Sequence, residues 1–327
     1  MITKPRQVPL RIRSLEALLR RIPSTHSKRP DIKSDLAKWT AGYKGERDVD
    51  YYLDHMPEEK YMILHDLRLP FDKYFFQIDT LLLSSKFLLI LEIKNIAGTL
   101  YFETKTNQLI RSVNQQEEGF RDPLSQARRL RSSLKSFIAD YVTHDFPMEY
   151  LIVISNSSTI LKFQNNHPEL VKRVCHASSL IDRINKLEDS YKTNLFTKEQ
   201  LKEINNFLIS SCRLQSTNVL ELYKIHPSEI LTGVHCPACR HLPSIRKKAK
   251  WHCPNCNKSF KDSYEETITD YFLLLQSSLT NRQLRHFLQL SSRSTALDIL
   301  NSLNLSYTGT NKGRVYHSPF SPSHSDQ

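Results

Sequence analysis

The sequence predicts an α/β chain: a mixed sheet flanked by helices, then a small four-cysteine module and a small winged-helix-like domain. Three observations predict it. Over the first half, helical and strand-like patterns follow one another in the order α-β-β-β-α-β. Two Cys-x-x-Cys pairs stand 13 residues apart further on. Beyond them, two short helical patterns are followed by a hairpin pattern. The 327 residues allow two or three domains at roughly 100–200 residues each. With 39% apolar and 24% charged residues the chain can bury a sizeable core, which excludes disorder throughout.

Each element has a local reason. Residues 1–30 read as a basic arm with one short helix, Ser14 to Arg21, stopped by Pro23. From Asp31 to Met56, Leu36, Trp39, Tyr43, Val49 and Leu53 recur at helical intervals, and Pro57 follows. Strand-like runs come next: Tyr61 to Leu64, Phe75 to Leu83, Phe87 to Lys94, Thr99 to Phe102 and Leu109 to Val113. Pro123 suits the first position of a helix reaching Tyr141. Tyr150 to Ile154 reads as a buried strand, and Leu180 to Leu187 and Thr197 to Ser210 as helices. These make one domain over 31–210, and 211–232 reads as a linker. The cysteine module occupies 233–262 and the last small domain 263–317. The Ser- and Pro-rich residues 318–327 are expected to be disordered.

No apolar run reaches the roughly 18 residues of a membrane span, and arginines interrupt every short apolar stretch near the N-terminus. A cytoplasmic location is the expectation, and in a reducing compartment closely spaced cysteines point to metal. The net charge of +12 points to an anionic partner, first of all nucleic acid. It is segregated. Residues 1–30 hold eight basic residues and one acid, residues 233–261 seven basic residues and none, and the rest is slightly acidic. Such segments are either placed contact surfaces or merely solvated. Attachment of the arm to an anionic membrane surface is a lesser reading, because its helix is short.

The strongest chemical signal is Gln77-Ile78-Asp79 with Leu91-Glu92-Ile93-Lys94. Phe87 to Ile93 is apolar on both faces, as inside a sheet, and charges there cost desolvation unless paired or metal-bound. Period 2 puts Glu92 and Lys94 on one face. With Ser85-Lys86 as the hairpin loop, Asp79 falls opposite Glu92 and Gln77 opposite Lys94. Facing carboxylates repel, and a divalent cation reverses the sign. Oxygen ligands favour Mg²⁺ or Mn²⁺ over Zn²⁺. With a lysine to act on water, this is the chemistry of metal-dependent phosphodiester hydrolysis. The same triplet also describes a hairpin whose end charges simply reach solvent.

An ordered set of motifs carries a family resemblance: Gly45-Glu46, Leu64-His65-Asp66-Leu67, Gln77-Ile78-Asp79, Glu92-Ile93-Lys94-Asn95 with Gly98, and Asp122-Pro123-Leu124-Ser125-Gln126. Over residues 40–160 the chain resembles the nuclease-related domain (NERD) family, itself similar to the PD-(D/E)xK restriction-endonuclease-like superfamily. The resemblance implies that fold, with Asp79 and Glu92 as Mg²⁺ ligands and Lys94 acting on the attacking water. It implies Glu46 as a further acidic residue beside the metal and Gln126 as a glutamine aimed at the site. The family often has His where Thr80 stands and Asn where Asp122 stands; neither change touches the implied metal core.

Cys236, Cys239, Cys253 and Cys256 suit a tetrahedral structural Zn²⁺, and the module resembles a zinc ribbon. His235, His241 and His252 lie nearby, but four thiolates suffice. Cys175 and Cys212 read as buried apolar residues. Arg246, Lys247, Lys248 and Lys250 suit phosphate contact and Trp251 base stacking, unless the module is only a structural staple. Thr280-x-x-Gln283 reads as a capping box. A second helix begins near Arg293 and Thr295, and Tyr307 to Tyr316 forms the hairpin, with Lys312 and Arg314 in a wing. A helical packing or dimerisation domain is the alternative. Two functions follow: a Mg²⁺-dependent nuclease acting on DNA, or a non-catalytic DNA-binding adaptor that keeps the nuclease fold.

Overall fold

The computed structural model describes residues 1–142, 145–164, 167–215 and 217–320. The chain divides into two compact units: Met1–Gln7 with Thr40–Arg213, and Val8–Trp39 with Leu214–Gln327. In chain order the elements begin with strand β1 (Ile2–Lys4), helix α1 (Leu10–Arg21) and helix α2 (Arg29–Leu53), within which the unit boundary falls. Next come β2 (Met62–Phe71), β3 (Tyr74–Leu83), β4 (Leu88–Lys94), β5 (Thr99–Glu103), β6 (Gln108–Val113) and β7 (Gln116–Arg121). Helix α3 (Pro123–Phe137) leads to β8 (Met148–Ile154), β9 (Ile160–Phe163), α4 (Pro168–Arg173), β10 (Val174–His176), α5 (Leu180–Ser190) and α6 (Lys198–Ser211). The chain continues through α7 (Val219–Tyr223), β11 (Ile245–Lys247), β12 (Lys250–His252), β13 (Ser259–Phe260) and α8 (Tyr264–Leu274). It closes with β14 (Ser278–Thr280), α9 (Asn281–Leu288), α10 (Arg293–Ser302), β15 (Tyr307–Thr308) and β16 (Val315–His317).

The first unit is a mixed α/β structure. Its six-stranded sheet has the order β1-β2-β3-β4-β8-β10, antiparallel in the β2-β3-β4 meander and parallel at β1-β2, β4-β8 and β8-β10. A second sheet, β7-β6-β5-β9, lies in the same unit. Strand β4 is buried on both faces, as an interior strand must be. Leu88 and Ile90 enter a core that includes Leu124, Ala127 and Leu130 of α3 and Leu201 and Ile204 of α6. Leu89, Leu91 and Ile93 enter the core that contains Val49 and Leu53 of α2 and Ile184 of α5. The sheet is thus flanked by α3 and α6 on one side and α2 and α5 on the other, and Glu92 and Lys94 share the α3 side by strand alternation.

The meander keeps its hairpin register down to Thr80 opposite Leu91, and then β3 and β4 part. Asp79 and Glu92 are the next pair in that register but no longer a ladder pair. β3 instead stays with β2, where Gln77 pairs with Arg68 rather than facing Lys94. The β2-β3 ladder skips the Asp66 step, where Asp66 takes φ +51. This left-handed residue re-aims both strands: Leu64 and Leu67, three apart, reach the same core, as do Ile78 and Leu81. The site lies at this fork.

The second unit holds three small pieces on one core. The β11-β12-β13 sheet carries the cysteine turns. The order α8-β14-α9-α10-β15-β16 with sheet β14-β16-β15 is winged-helix-like; Thr280 caps α9 in the expected capping box, and Ser292 caps α10. Trp251, Leu284, Phe287, Ile299 and Leu300 share its core with Leu15 and Leu18 of α1.

Several expectations are corrected. Residues 1–30 are not an arm: β1 is a sheet strand, and α1 buries Leu15, Ala17 and Leu18. Residues 211–232 are not a linker, since α7 with Ile225 and Ile230 adds Val219, Leu220 and Tyr223 to the second core. The helix opened by Pro123 ends at Phe137, and a separate turn covers Ala139–Tyr141. Within the tail, Ser318 is buried and its N–H donates to the Ser277 carbonyl, while residues 321–327 lie outside the described residues.

Candidate active site and four-cysteine centre

At the fork, the Asp79 carboxylate takes over from the ladder. Its Oδ2 accepts from the Ile93 N–H at 2.8 Å, a backbone donor that the parting strands leave unpaired. Glu92 is buried on β4. The Lys94 ammonium donates to Glu92 Oε1 at 2.6 Å and to Gln126 Oε1 at 3.3 Å. Gln126 reaches this face because Asp122 caps α3, accepting from the N–H groups of Leu124 and Ser125. The other oxygen of Glu92, Oε2, is buried without a hydrogen bond of good geometry among the described residues, although the Gln126 side chain is close enough to favour the carboxylate.

Glu46 is brought by α2. Gly45 makes this approach possible: a Cβ there would lie 2.4 Å from Asn95 Cβ and 2.5 Å from Ser155 Oγ, at the ends of β4 and β8. Past the same end of β4, just before β5, Gly98 holds φ +106, which only glycine adopts freely, and a Cβ would meet Ser112 O at 2.7 Å.

Arg6, one residue of the supposed arm, is the centre of the polar network. Its side chain is 1% exposed. It donates to Glu46 Oε2 and Asp66 Oδ1 at 2.7 Å each and to Asp50 at 2.8 and 3.1 Å. It also reaches the Asp79 carbonyl at 3.1 Å and Thr80 Oγ1 at 2.9 Å. Glu46 and Asp50, four apart on α2, present one face to it. The neighbouring Lys4 donates to the carbonyls of His65 and Asp66. Buried His65 bonds Thr80 Oγ1 through Nδ1 at 3.0 Å.

The titration pattern follows from this packing. Burial, reinforced by the Asp79 charge and opposed by Arg6, pushes Glu46 up to about 8. Burial and then Asp79, opposed by Lys94, push Glu92 up to about 7. Burial raises Asp79 too, against Lys94 and the Ile93 N–H. Burial pulls Lys94 down, but Glu92 and Asp79 outweigh it, so the ammonium is held above its ordinary value. Burial, with Arg6 and Lys4 beside it, pulls His65 down to about 4 despite Asp50. Arg6, Lys4 and Lys94 thus face five acids, Glu46, Asp50, Asp66, Asp79 and Glu92, a crowding of negative charge that bound protons or a divalent cation would relieve. Glu46, Asp79 and Glu92 do not bring three oxygens within 4.8 Å of one another; among the described residues only the four cysteines form so tight a group.

In the cysteine module, Arg240 N–H donates to the Cys236 carbonyl and Asn257 N–H to the Cys253 carbonyl, at 2.9 and 3.0 Å. Both turns end in a left-handed residue, Arg240 at φ +61 and Asn257 at φ +57. The matched turns converge four sulfurs. Cys236 and Cys256 Sγ are 3.6 Å apart, and Cys239 and Cys253 Sγ 3.5 Å. A Zn–S bond of about 2.3 Å implies tetrahedral edges of about 3.8 Å, so the thiols fit a zinc ion. Trp251 is a correction: it is 0% exposed and packs in the second core, so it cannot stack on a base. The Arg246 guanidinium covers its ring at 5.1 Å. Lys247, Lys248, Lys250, Arg293 and Lys312 are exposed, and Arg314 lies 4.1 Å over the Tyr307 ring.

The structure thus brings Asp79, Glu92, Lys94 and Gln126 together at the fork, with Glu46 linked to them through Arg6 and the charge of Asp79. Sequence reasoning missed Arg6, Asp50 and Asp66. Asp66 lies in a quoted motif and Asp50 follows Glu46 by one helical turn; Arg6 has no local signal.

A mixed sheet that forks around buried acids and a lysine makes this unit an α/β protein with a polar site at the strand fork. Residues 41–155, about a third of the chain, match the family model of the nuclease-related domain (NERD). The match spans the fork from Glu46 to Gln126 and ends just after β8. No curated protein and no solved structure matches the chain.

Proposed function

We propose that the protein is a metal-dependent nuclease that hydrolyses phosphodiester bonds, with DNA as the expected substrate. The observation that carries this reading is Glu92 Oε2, a buried carboxylate oxygen without a hydrogen bond of good geometry, beside the second buried acid Asp79. Leaving such a group unpaired is costly unless a ligand completes it.

Asp79 and Glu92 are the residues that would hold Mg²⁺ or Mn²⁺, their hard oxygens matching those ions. When bound there, the ion would stabilise the charge that develops on the phosphate. Lys94 remains an ammonium and so acts on the attacking water by donating a hydrogen bond and orienting it. Gln126 keeps the lysine in place. Glu46, positioned by Arg6, adds an acidic group within reach of the Asp79 charge. In the second unit the four cysteines hold a structural Zn²⁺. Arg246, Lys247, Lys248, Lys250, Arg293, Lys312 and Arg314 supply nucleic-acid contacts, sequence-independent where they meet phosphates.

The test is cleavage of single-stranded, duplex, nicked and branched DNA and of RNA with Mg²⁺ or Mn²⁺, alongside binding. Cleavage by the wild type that Asp79→Ala abolishes, with binding retained, supports the reading. A wild type that cleaves nothing while binding DNA as well as Asp79→Ala does would leave a non-catalytic DNA-binding protein.

A further inference from the structure

We propose that a cleft in the second unit, between the cysteine module and α10, is a pocket for one phosphodiester group of a nucleic-acid backbone. This deepens the nucleic-acid-binding part of the reading above and rests on it, but not on catalysis.

The cavity measures about 270 Å³. Ser244, Arg246 and Lys248 line it from β11 and its flanks, and Gln289, Ser292 and Thr295 line it from the α9–α10 connection. Arg246 stands on β11 and Lys248 in the left-handed turn that follows it, and both line the cleft. None of the lining residues is acidic. Arg246 lies on Trp251, its Nε is buried without a partner, and no ion pair engages it among the described residues. The guanidinium is therefore held in place by stacking while its charge is left uncompensated.

The other wall is the start of α10, a helix of ten residues with no acid in its first turn. Ser292 caps it by accepting from Thr295 N–H at 3.2 Å. A helix N-terminus offers free N–H groups and a partial positive charge to an anion. A separate observation points to a ligand. Ser244 is 3% exposed and lines the cleft, yet its Oγ has no hydrogen-bond partner. A buried hydroxyl left unmatched is unfavourable, and a phosphate oxygen in the cleft would accept from it. A guanidinium, an ammonium, a hydroxyl and a helix N-terminus around one cavity match the several acceptor oxygens of a phosphate better than the two of a carboxylate.

The phosphate source follows from position. α10 is the second helix of a helix-turn-helix pair, and Arg293 and Ser294 at its start are exposed. In that arrangement the first residues of the second helix meet base edges, and groups beside them meet the flanking backbone.

The experiment uses the full-length, zinc-loaded protein without Mg²⁺ or Mn²⁺. Binding to a fluorescent 20-base-pair duplex is followed by anisotropy across a KCl series. Arg246→Gln and Lys248→Asn are each expected to weaken binding about tenfold and to reduce the salt slope by about one. Asparagine suits Lys248 because that residue has φ +53, and being exposed it can be changed without disturbing the core. Lys261→Gln, an equal charge change in the same module but outside the cleft, is the control, expected to weaken binding less than about threefold. Unaltered affinity and slope in both cleft variants, or an equal loss in the control, would overturn the pocket while leaving nucleic-acid binding intact. Absence of DNA binding by the wild type would instead sink the parent reading. Inorganic phosphate, followed by Trp251 emission in a Trp39→Phe background, separates the sources. Weak binding that duplex DNA displaces agrees with a backbone site; tight binding that DNA does not displace overturns the assignment to nucleic acid.

Discussion

Replacing Arg6 with methionine keeps the length of the side chain and removes a charge that serves three acids. Arg6 is 1% exposed, and Glu46, Asp50 and Asp66 are 21%, 10% and 22% exposed in their side chains. None is open enough for water to replace the guanidinium fully. Breaking a buried ion pair by deleting one partner typically costs about 3–5 kcal/mol, because the remaining charge stays buried. The Asp79 carbonyl and Thr80 Oγ1 also lose donors, at about 1 kcal/mol each. Relaxation and protonation of the acids offset part of this, so about 4 kcal/mol is expected in total. With a urea m-value of about 2 kcal/mol/M, the midpoint of the transition of the first unit should fall by about 2 M. Far-UV circular dichroism measures it at pH 7.5. Both tryptophans, Trp39 and Trp251, belong to the other unit, so their emission gives a separate record of that unit. Arg6→Lys keeps a charge but offers three donors in place of the planar fork, and should fall between. A methionine variant within 1 kcal/mol of wild type would refute the idea that Arg6 neutralises the acids at the fork.

His65 titrates at about 4 when folded against an ordinary value near 6.5, so the unfolded chain binds its proton more tightly. Stability is fully present above 6.5 and should drop by up to about 3 kcal/mol as pH falls to 4; His65→Gln should remove this slope from urea titrations at pH 7 and 4.5. Gly45→Ala should lose about 1–3 kcal/mol through its clash with Asn95 and Ser155, whereas Gly42→Ala, with nothing within 4 Å, should gain about 0.5–1 kcal/mol; thermal melts that rank them the other way contradict the packing at α2. Elemental analysis should give one zinc per chain, and a strong chelator or Cys253→Ser should expose Trp251 and red-shift its emission; unchanged emission after complete zinc removal would mean that the core around Trp251 forms without the metal.

What could be read from the sequence was local. β4 was legible because seven consecutive residues are buried or nearly so, leaving an apolar run that only an interior strand explains. Asp79, Glu92 and Lys94 were legible because strand period and hairpin register place them within two adjacent strands. Gln126 depended on a resemblance, since no local rule ties a helix 32 residues away to Lys94. The fork itself was hidden: nothing in His65-Asp66-Leu67 announces a left-handed Asp66, and the ladder was expected to continue to Gln77 opposite Lys94. β7 has the sequence QEEGFR, without apolar alternation, and its hydrogen bonds to β6 alone make it a strand. β1 and β10, three residues each, are too short to show a period. Trp251 was misread because an aromatic residue among lysines looks the same whether it faces solvent or core.

The two basic segments look equivalent as counts but are opposite in use. In residues 1–30, Arg6 serves three carboxylates, Lys4 two carbonyls, and Arg20 and Arg21 share the fully buried Asp270. Arg29 bonds the carbonyls of Leu19 and Ile22, and Arg11 and Arg13 lie over the rings of Trp39 and Phe320. The charges of Arg6, Arg20 and Arg21 are thus matched by buried acids inside the units, whereas Arg11 and Arg13 are only stacked on rings and keep theirs. In residues 233–261 only Arg240 forms an ion pair among the described residues, with Glu266, while Lys247, Lys248, Lys250, Lys258 and Lys261 are exposed. A salt titration of DNA binding should therefore respond to neutralisation of the second set. Arg20→Gln, which removes a charge already paired with Asp270 and Glu266, should leave the slope of log affinity against log salt unchanged, whereas Lys247→Gln and Lys250→Gln together should lower it by about two. An equal change of slope per charge removed in the two variants would mean that segregation along the sequence, and not placement in the fold, decides which charges meet the nucleic acid.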